Sequence, residues 1–186
     1  MKVRIAVPEH DAEGVAAIYR PAVETSLASF EEVPPTAAEM GERIRSTLQR
    51  TPWLVAEAED GVIGYAYAGR HLERPGYRWS VNVSVYVAAD ARRRGVGRAL
   101  YAELFATLRR QGFVNAYAGI ALPNPASIAL HESFGMRRVA LYERVGFKFG
   151  AWHDVAWYWL RLSEPEATPP EPTLLMPIVD GAGPSA

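Results

Sequence analysis

The chain contains no cysteine, and this absence excludes a disulfide framework, a thiolate nucleophile and a cysteine-ligated zinc site. Charge of one sign is also lacking, because 20 Lys and Arg oppose 21 Asp and Glu for a formal net charge of -1. A nucleic-acid partner is therefore not expected. No apolar run is long enough for a signal peptide or a membrane span. We expect a cytoplasmic protein without a membrane or metal partner.

The remaining composition is that of an ordinary folded domain, with 49% hydrophobic and 22% charged residues among 186. After Ser163 the chain becomes rich in proline ("SEPEATPPEPTLLMP"). We predict one domain over residues 1–162 and a C-terminal tail over residues 163–186, extended on the surface or partly disordered.

The first half of the chain predicts a strand at Val3 to Val7 and a helix at His10 to Tyr19, with Asp11 as its cap. Three prolines predict an irregular loop over residues 20–35, and the capping box "TAAE" at residues 36–39 predicts the start of a second helix. Two strand-like runs then flank an Asp-Gly dipeptide, which favours a hairpin.

The second half of the chain alternates strands and helices. Its clearest strand, residues 80–87, places four valines on one side and polar residues on the other. An amphipathic helix with Leu100, Leu104 and Leu108 follows, and then a strand, a short helix and two final strands. A hairpin followed by alternating elements predicts an α/β fold with a mixed, twisted central sheet and flanking helices.

Four arginines, three of them consecutive, and two glycines lie close together at residues 92–98 ("RRRGVGR"), which we call the Arg/Gly loop. The loop joins a strand to a helix, where free backbone amides and the helix dipole favour a phosphate. Glycines would let the anion approach the backbone. The loop matches neither the Walker motif nor G-x-G-x-x-G. A solvated basic turn that merely starts a helix is the alternative.

Further motifs decide between these interpretations. Arg92-x-x-Gly95-x-Gly97 after "VSVYV", together with "NPASIALHESFGM" and "VGFKFGAWHD", resembles the GNAT superfamily of N-acetyltransferases, in its phosphinothricin acetyltransferase-like branch. The resemblance covers about residues 3 to 162. It implies the GNAT fold, in which two parallel strands splay apart, and it implies acetyl-CoA as co-substrate, with the Arg/Gly loop holding its pyrophosphate.

The resemblance also implies which residues contact acetyl-CoA. Val85 and Val87 would pair with the pantetheine arm, backbone amides of residues 93–98 would meet the pyrophosphate, and Asn124 would hold the pantetheine carbonyl region. The full predicted set is Val85, Tyr86, Val87, Arg92, Arg93, Arg94, Gly95, Val96, Gly97, Arg98, Asn124 and Ser127.

Three residues are predicted to be catalytic: Asn82, Tyr86 and His131. A backbone amide at residues 85–87 would meet the oxyanion, and His131 would serve as the acid beside the sulfur. The alternative for His131 is a surface histidine next to Glu132. Relatives generally carry a carboxylate as base at the position matched by Asn82, and an amide cannot accept the proton. Asn82 would therefore hold a relaying water, or Glu24 or Glu31 would replace it.

The acceptor is expected to be a small amine, and the predicted substrate-binding residues are Phe30, Arg74, Tyr77 and Arg78. The arginines suit a carboxylate or phosphinate, although solvated arginines are the alternative. We predict acetylation of an amino acid analogue such as phosphinothricin or methionine sulfoximine. A protein N-terminus, a polyamine, or binding of acyl-CoA without catalysis are the other possibilities. We also predict a homodimer, and a structural role for Lys148.

Overall fold

Seven strands form one sheet in the order β1-β2-β3-β4-β5-β7-β6 in the computed structural model, which describes residues 1–174. Only β4 and β5 are parallel, whereas every other pair is antiparallel. The strands are β1 (Lys2–Ile5), β2 (Trp53–Ala58), β3 (Gly61–Arg70), β4 (Ser80–Val87), β5 (Asn115–Ala121), β6 (Arg137–Lys148) and β7 (Ala151–Arg161). The predicted α/β class with a mixed sheet is confirmed.

Helices cover both faces of this sheet. They are α1 (Pro8–Glu24), α2 (Ala37–Leu48), α3 (Val96–Arg110) and α4 (Pro125–Glu132), with single 3-10 turns at Pro75–Tyr77 and Ala89–Ala91. The first two helices bury Val15 and Ile44 against Tyr65 on one face. On the other face α3 buries Leu100 and Phe105. The sheet thus separates two apolar cores, and β4 and β5 lie at its centre.

The first helix is longer than predicted, and Asp11 is not its cap. It begins at Pro8, where a missing N–H costs nothing, with Val7 as the N-cap residue. Asp11 lies inside the helix, where it accepts the Val7 N–H at 2.7 Å and pairs with Arg4 at 2.6 Å. The predicted loop over residues 20–35 is wrong for residues 20–24, because Pro21 is accommodated within the last turns of the helix.

The Arg4–Asp11 pair leads to a prediction about acid stability. Burial acts to raise the pKa of the Asp11 carboxyl, but its bonds to Arg4 and to the Val7 amide outweigh burial and lower that pKa. A lowered carboxyl pKa stabilises the fold above the unfolded-state value and is lost as pH falls through the folded-state value. Asp11→Asn should therefore cost about 2 kcal/mol in urea unfolding near neutral pH. Its cost should shrink in acid, and an unchanged cost at low pH would contradict the assignment.

Two predicted helix ends are confirmed by the structure. Thr36 and Glu39 form the capping box of α2, and Gly112 follows α3 with a φ of 85°. Residues 163–174 contain no helix or strand and run along the surface, where Pro170 accepts the Trp79 indole N–H at 2.7 Å. The rest of the predicted tail, residues 175–186, lies outside the described residues. Within residues 1–174, no helix is long and apolar enough to cross a membrane.

Candidate active site

The two parallel strands separate after a short paired segment. Residues 80–82 of β4 pair with residues 115–117 of β5, and the ladder ends at Asn82 and Tyr117. Beyond that point a cavity of about 130 Å³ opens between the strands. Its walls include Val85 and Ile120 from the strands, and Tyr101 and His131 from the helices. The structure therefore contains the wedge that the sequence resemblance implied.

The backbone of β4 presents free amides to this wedge. The Ala88 N–H bonds to Ile63 of β3 at 3.0 Å, whereas the Trp79 carbonyl accepts the Asn115 N–H of β5 at 3.2 Å. Because peptide groups alternate sides along a strand, the odd-numbered residues of β4 turn toward β5. Val85 and Val87 lie beyond the paired segment, so their amides have no ladder partner in β5. An extended amide chain could pair with them as an added strand.

The Arg/Gly loop lies at the mouth of the wedge, immediately before α3. Arg93 and Gly95 have φ values of 60° and 81°, and this left-handed backbone turns successive N–H groups toward one concavity. The first backbone bond of α3 is accepted by Gly95 from Ala99, which leaves the amides of residues 96–98 free. This arrangement fits a diphosphate.

Side chains of the loop are also available for an anion. Arg92, Arg93, Arg94 and Arg98 are exposed, and none of them forms an ion pair within the described part of the chain. A side chain at Gly97 would point toward Leu130 at 3.2 Å and Val87 at 3.7 Å, which places this glycine against the wedge. The loop therefore combines free amides, unpaired charge and close backbone access.

The start of α4 closes the other side of the cavity. Asn124 is the N-cap residue, and its Oδ1 accepts the Ser127 N–H at 3.1 Å. Both side chains line the cavity. Since the Asn124 oxygen is used by the helix, its NH₂ group is the part left for a carbonyl of the co-substrate.

His131 is buried in the cavity wall with 3% exposure, so the alternative of a surface histidine is wrong. Its Nδ1 donates to the Ser127 carbonyl at 2.7 Å, and its Nε2 accepts from the Tyr101 hydroxyl at 2.9 Å. Desolvation by burial lowers the pKa of His131, which favours this neutral form. His131 and Tyr101 therefore line the cavity as a hydrogen-bonded pair. Sequence reasoning missed Tyr101 as a cavity residue, since its spacing marks it only as a core residue of α3.

The lowered pKa of His131 predicts how stability changes with pH. Below the ordinary pKa of histidine, His131 binds a proton in the unfolded chain but stays neutral in the folded chain. The free energy of unfolding should therefore fall as pH drops from about 7 to about 5. The contribution can be no steeper than about 1.4 kcal/mol per pH unit. His131→Gln should remove this part of the slope in urea unfolding measured across that range. Equal slopes for the two proteins would contradict a buried neutral histidine.

The opposite side of the wedge carries Asn82 and Tyr86. The Asn82 Oδ1 lies 2.8 Å from Nδ1 of His71, a residue that the sequence did not single out. The Tyr86 hydroxyl donates to the Ala28 carbonyl at 3.2 Å and thereby ties the segment after α1 to β4. Burial raises the pKa of Tyr86 well above its usual value, so the phenol stays protonated. Its catalytic role, through the backbone, stays a prediction.

None of the four predicted substrate-binding side chains lines the wedge cavity. The Phe30 ring lies directly over Gly146 of β6. Arg78 pairs with Glu171 and stacks on Trp79 at 4.8 Å, whereas Arg74 is exposed. Tyr77 lies nearer to Asn82, because its ring is 6.4 Å from that of His71, the hydrogen-bond partner of Asn82. Phe30 and Arg78 thus serve packing and the tail, and a role in binding the acceptor stays a prediction for all four.

Lys148 anchors the segment between α1 and α2, which covers this face. Its buried Nζ donates to three carbonyls, those of Val23 at 2.6 Å, Ser26 at 3.1 Å and Ser29 at 2.6 Å. The buried ammonium group of Lys148 is therefore stabilised by three backbone carbonyls in place of a carboxylate. The predicted structural role of Lys148 agrees with these contacts.

A larger cavity of about 530 Å³ lies on the same face, between α2 and the first strands. Its wall includes Tyr67, which is opposite Ser84 in the β3–β4 ladder, and Ser84 lines the wedge cavity. The wedge is the place where two strands expose unpaired backbone, and the larger cavity is the adjoining space. The larger cavity therefore lies on the face of the sheet that carries the side chains of Asn82 and Ser84.

Comparisons with known proteins agree with this geometry. Residues 5–157 match the family described as acetyltransferase (GNAT) domain. A phosphinothricin N-acetyltransferase of Streptomyces viridochromogenes is 40% identical over 162 residues, which cover 87% of each chain. A crystal structure of a phosphinothricin acetyltransferase from Sinorhizobium meliloti in complex with AcCoA has a TM-score of 0.84 and 39% identity, and the match covers 92% of each chain.

A third relative carries a different name. An L-methionine sulfoximine/L-methionine sulfone acetyltransferase of Pseudomonas paraeruginosa is 36% identical over 164 residues, covering 86% of this chain and 94% of that protein. The fold and site, together with these matches, define the class: the chain belongs to the GNAT family and is an acetyl-CoA-dependent N-acetyltransferase. Its similarity to phosphinothricin N-acetyltransferases confirms the predicted branch.

Proposed function

We propose that this protein transfers the acetyl group of acetyl-CoA to the amine of a small amino acid analogue of the phosphinothricin or methionine sulfoximine type. The observation that carries the proposal is the open β4–β5 ladder, with a phosphate-binding loop at its mouth and a roomy cavity adjoining its far side. The names of the relatives support the acceptor class, since they include acetyltransferases for phosphinothricin and for methionine sulfoximine.

Bound acetyl-CoA would supply the activated thioester, and the protein would position it. Amides of Val85 and Val87 would hold the pantetheine arm, while residues 93–98 would hold the diphosphate. A β4 amide directed into the wedge would stabilise negative charge on the carbonyl oxygen. Tyr101 and His131 form the nearest hydrogen-bonded pair on the opposite wall, so we assign them to the sulfur side of the reaction.

The contacts of the two carboxylates predicted from the sequence do not favour either of them as the group that removes the amine proton. Glu31 accepts two bonds from Arg43 and one from Tyr19, and the bonds to Arg43 contribute most to lowering its pKa. Glu24 is exposed and pairs with Arg20 on the surface of α1. Neither carboxylate is free at the wedge. A water held by Asn82 remains the alternative from the sequence.

Thiol release from acetyl-CoA with a panel of amines tests the proposed function. Phosphinothricin and L-methionine sulfoximine should each raise the rate at least about 100-fold above hydrolysis, whereas spermidine and a peptide with a free N-terminus should not. Turnover of the peptide or of spermidine alone would contradict the acceptor class. Binding of coenzyme A without turnover of any amine would show a binding module instead.

We also propose that two copies pair through β6, which is an edge strand of the sheet. Val145, Phe147 and Tyr142 of this strand are about half exposed, and Trp152 of β7 is 61% exposed. Such a row of apolar side chains on an open edge is typical of an interface. Sedimentation should give a dimer that Val145→Lys weakens. Leu72→Lys, at an equally exposed leucine away from β6, is the control, and a monomeric parent protein would refute the pairing.

We propose a cytoplasmic enzyme with a single acetyltransferase domain over residues 1–162, a tail after it, and no nucleic-acid or metal partner. The tail contacts of Pro170 and Thr173 with Trp79 and Gln111 support its docking on the domain.

A further inference from the structure

An imidazole stands beside the position where a carboxylate base would be expected. His71 follows the end of β3, and its backbone N–H bonds to the Ser80 carbonyl of β4 at 3.4 Å. Its ring meets the side chain of Asn82, which occupies that position on β4. We propose that His71 takes the proton from the ammonium group of the acceptor, and that Asn82 holds the His71 ring in the orientation this requires. The inference rests on the proposed function and names the base that function needs.

The bond between the two side chains selects the tautomer of His71. An amide oxygen only accepts, so a 2.8 Å contact between Asn82 Oδ1 and Nδ1 requires a proton on Nδ1. The lone pair is then on Nε2, and Nε2 has no hydrogen-bond partner within residues 1–174. Histidine paired with an asparagine oxygen through Nδ1 is the arrangement that leaves Nε2 available as a base.

Aromatic neighbours hold the ring in place. His71 stacks on Tyr117 of β5, with ring centres 4.2 Å apart and planes inclined by 18°. The edges of Trp157 and Tyr77 approach it at 6.1 Å and 6.4 Å. The titratable groups facing His71 are thus the phenols of Tyr117 and Tyr77. Within residues 1–174 no carboxylate and no cationic side chain forms a hydrogen bond or ion pair with His71, and the adjacent Arg70 pairs with Glu73.

The pair lies at the closed end of the wedge. Asn82 and Tyr117 are the last residues joined in the β4–β5 ladder, and the strands separate directly after them. The indole of Trp157 lies over Gly119, two residues further along β5 on the same face. Its buried Nε1 has no hydrogen-bond partner in residues 1–174. An acceptor amine bound beside Asn82 and Tyr117 would meet the unpaired Nε2 of His71 next to the point where the strands separate.

The proposed step accounts for every proton. Nε2 of His71 takes one proton from the ammonium group, and the freed lone pair of the amine forms the C–N bond at the thioester carbon. The C–S bond breaks as the carbonyl is restored, the nitrogen gives up a second proton, and the sulfur gains one on the side of Tyr101 and His131. The imidazolium then releases its proton to solvent, so that the products are the amide, the free thiol and one proton.

A rate comparison at two pH values tests the role of His71, with L-methionine sulfoximine as the acceptor. At about pH 7 His71→Gln should lower kcat about 100-fold, within the usual range for loss of a general base. At about pH 9.5 much of the amine is already neutral, and the difference from the wild type should shrink to about threefold or less. A structural role would not produce this rescue. Acetyl-CoA binding, measured by calorimetry, should be the same for both proteins.

Variants of Asn82 test the positioning role. Asn82→Ala should lower kcat by about tenfold because the ring loses its partner, while Asn82→Asp keeps an oxygen on Nδ1 and should match or exceed the wild type. His10→Gln, at an exposed histidine on α1, is the control. The role of His71 would be refuted if His71→Gln kept the wild-type kcat at about pH 7, or if its defect were equal at both pH values. The proposed function would still stand in either case. Failure of the wild type with every amine would instead overturn the proposed function, and this inference with it.

Discussion

Gly97→Val is expected to weaken binding of coenzyme A by about 100-fold or more, which corresponds to about 2.7 kcal/mol. Gly97 lies in the first turn of α3, where the helix faces the wedge. A Cβ there would be 3.2 Å from Leu130, 3.7 Å from Val87 and 3.9 Å from Val85. The branched methyl groups would therefore occupy the mouth through which the pantetheine arm must pass. Calorimetric titration with coenzyme A measures the effect directly.

The fold should survive this substitution, because the nearest atom is the flexible end of the Leu130 side chain. Urea unfolding should thus change by no more than about 1 kcal/mol. Gly76→Ala is the matched control, since a Cβ at that exposed turn meets nothing within 4 Å. Undiminished affinity of the valine variant would mean that the cofactor does not enter between β4 and β5.

Lys148→Met is expected to damage the acceptor side of the site and leave the cofactor side intact. The three carbonyls that Lys148 holds, from Val23, Ser26 and Ser29, would lose their donor in a buried place. Leaving such groups unpaired should cost about 3 kcal/mol of unfolding free energy. Ser29 of this segment also contacts the hydroxyl of Tyr19 at 2.7 Å, and Tyr19 lines the larger cavity on the acceptor side. KM for the amine should consequently rise about tenfold or more, with an unchanged Kd for coenzyme A.

The other lysine of the chain offers a control for this experiment. Lys2 is exposed at the start of β1, and Lys2→Met should change neither stability nor KM. Kinetic titration of the amine and calorimetry of coenzyme A separate the two sides of the site. If Lys148→Met raised the Kd for coenzyme A as much as the KM for the amine, the lysine would not be specific to the acceptor segment.

Features set by neighbouring residues could be predicted from the sequence. The capping box at Thr36 and Glu39, the alternating strand at residues 80–87 and the Arg/Gly loop each depend on residues only a few positions apart. The resemblance of the motifs to the GNAT superfamily further predicted the wedge between β4 and β5 and acetyl-CoA as the molecule that binds there. The end of α1 was missed because Pro21 normally breaks a helix, and packing of the buried side chains that follow it outweighed that preference.

The contacts that the sequence could not predict join distant residues. His71 and Asn82 are 11 positions apart, Tyr101 and His131 are 30 apart, and Lys148 and Val23 are 125 apart. Nothing local marks His71 as a partner of Asn82, since the two meet only through the pairing of β3 with β4. Burial of His131 likewise depends on α3 packing against α4. The contacts of His71 with Asn82 and of His131 with Tyr101 determine which ring nitrogen of each histidine carries the proton.

Amide hydrogen exchange with and without acetyl-CoA tests the central claim most directly. Binding should slow exchange at Val85 and Val87 and at residues 96–98, because these amides are the free donors along the wedge and at its mouth. Amides of β4 that point to β3, such as that of Tyr86, are already paired and should change much less. Protection elsewhere with no change at these five amides would contradict the account.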